Sequence, residues 1–328
     1  MNKLKSSKIL WPLLALVVLL ILNVFFTPGF FHIELKDGRL YGHIIDILNQ
    51  AAPVMLLAMG MTLVIATGGV DLSVGAVMAI SGSVMAIAIA KPEAGLVGGL
   101  IFTLAICVVA GAWNGMLVAV FDIQPIIATL ILMVAGRGVA QLLTQGQILT
   151  FHNKSFAFIG EGSFAGLPFA VTIVAVWLIV TAALTRGTAM GMFIESAGDN
   201  AKASRYAGIN VKSVKVFVYV FSGLCAGIAG LVVASGVSAA DANNAGLYYE
   251  LDAILAVIVG GTAMSGGRYS LVGSIIGALI IQTLTTSIRA QNVPVEFALV
   301  VKAVAALAVF LLQSDAFNKM FARRKASA

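Results

Sequence analysis

Apolar residues run through this chain in long, nearly unbroken blocks, and polar residues are confined to the gaps between them. The blocks fall at about 9–26, 44–66, 72–90, 95–118, 125–143, 167–184, 214–236, 250–260, 271–288 and 294–312. A helix needs about 20 apolar residues to cross a hydrocarbon core ~30 Å thick. The pattern predicts an all-α, polytopic integral membrane bundle of about ten transmembrane helices, forming a single domain over 1–328. The block at 250–260 is too short to cross alone, so it must extend into 261–265 or enter tilted.

Charge sets the orientation. Lys3, Lys5 and Lys8 precede the first block, and Arg323, Arg324 and Lys325 follow the last. With both termini placed in the cytoplasm, 13 of the 20 Lys and Arg residues lie on that side, five lie outside, and Arg137 and Lys302 fall within spans. This is the asymmetry that orients membrane proteins. The first block lacks a small-residue cleavage site, so it reads as a retained span and not a signal peptide.

Composition agrees. The chain is 60% hydrophobic and only 10% charged, where soluble domains carry about 25% charged residues. Its +6 net charge is spread among loops and ends, which excludes a nucleic-acid footprint and leaves lipid as the surrounding partner. Cys107 and Cys225 stand in apolar runs and read as helix packing. No Gly-Lys dipeptide occurs, so the chain has no phosphate loop of the GxxxxGK[ST] type. The three histidines are scattered, and there is no HExxH or GxSxG. These features argue against an enzyme and predict no cofactor on this chain.

The longest polar interruption is 186–213, with Arg186, Lys202, Arg205, Lys212 and Lys215 at or near it. Asp199 or Asn200 is placed to cap a short helix over 201–207, and Gly208 suits its C-terminal stop. A capped amphipathic helix between two spans is suited to docking on a partner.

Glycines recur four apart at Gly95/Gly99, Gly111/Gly115, Gly223/Gly227 and Gly273/Gly277, the spacing that lets helices approach closely in lipid. The stretches 66–80 and 259–279 each carry a Gly-Gly break before a Gly-spaced helix, which suggests two structurally repeated halves with broken helices at matching places.

Several polar residues lie in or beside spans. Asp71 either caps the third span with help from Ser73 or lines a pathway. Arg137 and Lys302 are intramembrane charges, functional or paired; Glu296 is six residues from Lys302. Asn114, Gln124, Thr129 and Gln141 either join helices or line a route for a polyhydroxylated solute. In 238–253, Tyr248 and Tyr249 are interfacial anchors or, with the acidic and amide cluster, a contact for an outer partner.

The stretches 197–230, 60–79 (GMTLVIATGGVDLSVGAVMA) and 251–280 resemble permease subunits of bacterial ABC sugar importers of the ribose/galactose-type group. Within that group, 37–42, 45–54, 128–142 and 241–257 are most similar to the galactofuranose importers. The resemblance implies a multi-pass protein of the bacterial inner membrane. It also implies a cytoplasmic ATPase partner that carries ATP and Mg, a periplasmic sugar-binding protein and a second permease, here a related chain. It further implies that Glu195, Ala197, Gly198, Asp199, Asn200, Ala203 and Gly208 form the coupling contact with that ATPase. Asp71, Ser73, Asn114, Gln124, Thr129 and Arg137 are the expected pathway residues. The rival readings are a permease for another sugar or an amino acid, and an ion-coupled transporter built on the broken helices.

Overall fold

The computed structural model describes residues 9–27, 29–36, 38–91, 95–290, 297, 299–304 and 307. Twelve helices are assigned end to end: α1 (Leu10–Phe26), α2 (His43–Ala66), α3 (Val74–Ala90), α4 (Leu96–Ala119), α5 (Pro125–Thr144), α6 (Lys154–Glu161), α7 (Phe169–Arg186), α8 (Met190–Asp199), α9 (Ala201–Tyr206), α10 (Val211–Val237), α11 (Tyr249–Val259) and α12 (Leu271–Ala290). The first nine apolar blocks each hold one of these helices. The tenth, with Glu296 in it, falls mostly outside the described residues, although 299–304 are helical.

Six of the helices are long and apolar enough to cross a membrane: α2, α4, α5, α7, α10 and α12. α1 and α3 are slightly shorter, and α11 has only 11 residues. A polytopic helical membrane protein follows, with six full-length helices of this kind among the described residues.

The layering follows from which faces are apolar. α2 is apolar all round, and every residue from Ala51 to Ala66 is buried, so it forms the centre of the bundle. α10, α12, α11 and α7 pack against it, and α3 packs on α10, α5 and α4. α1, α4, α5 and α7 turn large apolar side chains outward (Trp11, Phe25, Val109, Leu142, Ile179), as lipid-facing helices must.

Glycines set how closely the helices meet. Gly111 of α4 faces Gly223 of α10, with Gly115 against Val216 and Gly227 against Cys107, so tightly that a Cβ on Gly111 would stand 2.4 Å from the Tyr219 carbonyl oxygen. Gly273 and Gly277 of α12 meet Gly260 and Ala256 beside α11 in the same way. Two of the spaced pairs are therefore the two sides of one crossing. Gly95 departs from the expectation: nothing lies within 4 Å of its Cβ position, and it serves instead as the φ +62° residue before α4. Both cysteines are free and buried, and Trp177 Nε1 donates to Cys225 Sγ at 3.0 Å.

Between α10 and α11 the chain is irregular. Arg137 of α5 donates to the carbonyls of Ala242 (3.1 Å) and Ala245 (2.5 Å), and Gln141 donates to Asn243 Oδ1 at 2.8 Å. The Gly246 carbonyl packs against Gly75, the second residue of α3. The segment therefore leaves the end of α10 and dips into the bundle, which is why α11 is short. Irregular backbone at membrane depth is tolerated only where protein or a watery cavity surrounds it. Asp241 satisfies part of this segment by accepting from the Asn243 and Asn244 amides at 2.9 and 3.1 Å.

Candidate functional site: a junction beneath two broken helices

α8 and α9 close the end of the bundle where α2 stops and α10 begins. Asn200 caps α9 by accepting from the Ala203 amide at 2.9 Å, and Asn210 caps α10 by accepting from the Ser213 amide at 3.2 Å. Of the two residues offered by the sequence, Asn200 is the cap; Asp199 is the last residue of α8. Gly208 follows α9 with φ +86°. Ser204 Oγ donates to the Ser196 carbonyl at 2.8 Å and so fixes α9 on α8.

These two helices divide the predicted coupling residues by orientation. Asp199, Asn200, Ala203 and Gly208 are exposed, beside Lys202, Arg205 and Tyr206. Tyr206 is 93% exposed, an aromatic side chain held out from a capped helix, and sequence reasoning did not single it out. Ala197 is buried and Glu195 is half-buried. Gly198 faces inward, where a Cβ would stand 1.8 Å from the Ala66 carbonyl oxygen and 2.6 Å from the Gly267 amide nitrogen.

Ala66 ends α2 and Gly267 lies in the break before α12, so the two similar Gly-Gly stretches meet here. Gly267 N–H donates to the Ala66 carbonyl at 2.8 Å. Nearby, Tyr269 packs under α8 and bonds Thr185, and burial pushes its hydroxyl pKa up.

The break between α2 and α3 is held from three sides. Asp71 is 1% exposed and accepts from Ser73 N (3.1 Å), Ser73 Oγ (2.6 Å) and Ser222 Oγ of α10 (2.7 Å). Asn114 Nδ2 of α4 donates to Ser73 Oγ at 2.8 Å. Thr129 of α5 and Tyr219 of α10 each reach the Val70 carbonyl at 3.4 Å. Four of the six expected pathway residues (Asp71, Ser73, Asn114 and Thr129) thus converge on one break. Arg137 stands apart, holding the irregular segment by its carbonyls instead of pairing with a carboxylate, and Gln124 is exposed at the start of α5. Lys302 pairs with Asp252 of α11 at 2.8 Å.

A buried carboxylate with three donors, tied to α4 and α10, resists bending of the break it occupies. No side chain stands between Gly198 of α8 and the ends of the two broken stretches.

Residues 43–310 match the family described as branched-chain amino acid transport system / permease component. The chain is 53% identical over 312 residues to the galactofuranose transporter permease protein of Escherichia coli strain K12, covering 94% of this chain and 91% of that one. It is 36% identical over 335 residues to the fructose import permease protein of Bifidobacterium longum strain NCC 2705, covering 99% and 92%. It is also 36% identical over 306 residues to the ribose import permease protein of Escherichia coli strain K12, covering 92% of each. The bundle and the comparisons define a multi-pass membrane transport protein. The chain belongs to the branched-chain amino acid transport system / permease component family.

Proposed function

We propose that this chain is the membrane-spanning subunit of an ATP-driven importer that carries a monosaccharide, galactofuranose, from periplasm to cytoplasm across the bacterial inner membrane. Both termini and the α8–α9 end face the cytoplasm. ATP and Mg bind a separate ATPase, a periplasmic binding protein delivers the sugar, and a second, related permease completes the membrane unit.

The observation that carries this reading is the two-faced α8–α9 element. Its outer face presents capped backbone, two cations and Tyr206 to a partner, and its inner face sets Gly198 on the ends of the broken helices. ATP binding closes the ATPase dimer and pushes α8, and the breaks at 67–73 and 260–270 change angle, opening one side of the bundle as the other closes. Such coupling requires different contacts in the two states, and the junction supplies elements able to differ. The names of the relatives support a sugar, and the most similar of the three described above supports galactofuranose.

The test is reconstitution of the chain with its ATPase, second permease and binding protein in vesicles. Uptake of labelled galactofuranose, ribose, fructose and leucine is then measured with and without ATP. ATP-dependent uptake of galactofuranose above the others is the expected result. Uptake driven by an ion gradient without the ATPase overturns the reading.

A further inference from the structure

At the end of the bundle away from α8 and α9, a cavity of about 490 Å³ opens between the start of α2, the end of α10, the start of α11 and the end of α12. Small-molecule pockets span roughly 300–1,000 Å³, so its size suits a monosaccharide with some water. Its walls combine apolar surface (Pro53, Val54, Val232, Val233) with an unusual concentration of amides and charges.

Those polar groups come from four separate parts of the chain. Gln282 Nε2 of α12 donates to Gln50 Oε1 of α2 at 3.2 Å, and Arg289 reaches the same oxygen at 3.5 Å. Lys302 Nζ lies 2.8 and 3.0 Å from the two carboxylate oxygens of Asp252. Polar side chains on membrane helices are expensive unless partnered or wetted. Here each is partnered only in part. Gln282 Nε2 also donates to Thr286 Oγ1 at 3.3 Å. An ammonium has three donors and a guanidinium five, while an amide both donates and accepts, so these groups keep hydrogen-bonding capacity beyond their mutual contacts.

The backbone makes room for it. The irregular 238–248 segment dips beside this space, and Tyr248 and Tyr249, where α11 begins, form part of its wall. The cluster that the sequence offered as a pathway, Asp71 with Ser73 and Asn114, lines no part of this cavity.

We propose that this cavity is a sugar-binding site within the membrane subunit itself. Asp252, Gln50 and Gln282 hold ring hydroxyls, and Lys302 is the ion-pair partner of Asp252 when the site is empty. This rests on the reading of the chain as a sugar importer. It adds that the permease selects its solute a second time, after the binding protein has released it.

The experiment uses the complete reconstituted importer with labelled galactofuranose. Asp252→Asn and Gln282→Ala are each expected to raise the half-saturating sugar concentration by about 10- to 100-fold, the effect of losing a buried hydrogen bond to a polar ligand. Against variants that fail to assemble, Asn49→Cys supplies an independent measurement. The two natural cysteines are buried, so a maleimide reports the new thiol in the cavity wall, and millimolar sugar is expected to slow its labelling. Unchanged half-saturation in assembled variants, or labelling indifferent to sugar, overturns the site. An unsubstituted importer that takes up no sugar with ATP would instead overturn the functional reading on which the site rests.

Discussion

Gly267 donates its amide hydrogen to the carbonyl of Ala66 across 200 residues of sequence, and Gly198 lies against both. One hydrogen bond thus joins the ends of the two broken stretches, with the inner face of α8 resting on it. On the coupling reading proposed above, a push on α8 would reach both broken stretches at once.

Gly198→Ala tests that joint. The added Cβ would stand 1.8 Å from the Ala66 oxygen, so α8 must lift or the junction must open. Overpacking of this kind destabilises by about 1–3 kcal/mol. The variant is expected to insert normally yet import much less sugar per ATP hydrolysed. Paired measurements of uptake and hydrolysis decide the matter, and an unchanged ratio would remove Gly198 from the coupling path.

The docking face makes its own prediction. Tyr206→Ala is expected to weaken binding of the purified ATPase by about 2 kcal/mol, the scale of an aromatic anchor at an interface. Asn200→Ala is expected to fray α9, with a cap loss of about 1 kcal/mol, while Asn200→Ser retains most of the affinity. Surface-immobilised permease and titrated ATPase give these values. Equal binding by all three variants would place the interface elsewhere.

Asp71→Ala leaves the hydroxyls of Ser73 and Ser222 without their shared acceptor in the core. A loss of about 1–3 kcal/mol is expected for buried donors left unsatisfied, read as a lower melting temperature in detergent. Asp71→Asn keeps the shape and some of the bonds, so its melting temperature should fall between the two. A variant as stable as the parent would show that the carboxylate adds nothing to the break.

α4 contains its own control. Gly111→Ala puts a methyl 2.4 Å from the Tyr219 oxygen, whereas Gly98→Ala meets nothing within 4 Å. The first is expected to lower thermal stability and yield, and the second to leave both unchanged. Equal behaviour would mean that α4 and α10 are less tightly joined than their geometry shows.

What the sequence could reveal followed from how local each signal is. Apolar runs located α1 to α5, α7 and α10 to α12 to within a few residues, because lipid imposes one composition on every span. α6 and α8 escaped notice. The cap of α6, in which Asn153 accepts from the Phe156 amide, lies in a polar gap between apolar blocks, and α8 carries Gly191 and Gly198, which weaken a helix signal. At the site, Asn200 and Gly208 were readable as punctuation. The meeting of Ala66, Gly198 and Gly267 was not, since nothing local in any one of them mentions the others. The same holds for Gln50, Asp252, Gln282 and Lys302, four ordinary polar residues until the fold brings them around one cavity.

α2 is buried on every side, yet a ribosome makes it well before α7, α10, α11 and α12, the helices that later surround it. During synthesis it must therefore wait in lipid, or beside the insertion machinery, while more than 200 residues follow. Its composition suits that delay. From Ala51 to Ala66 the only hydroxyl, amide or charged side chain is Thr62, and that hydroxyl bonds the Ala58 carbonyl one turn back within α2 at 2.5 Å. Only when α12 arrives does Ser274 join it, at 2.7 Å. A stretch such as 51–66, whose one hydroxyl is met within its own helix, can be laid down early and enclosed late with its side-chain polar group already satisfied.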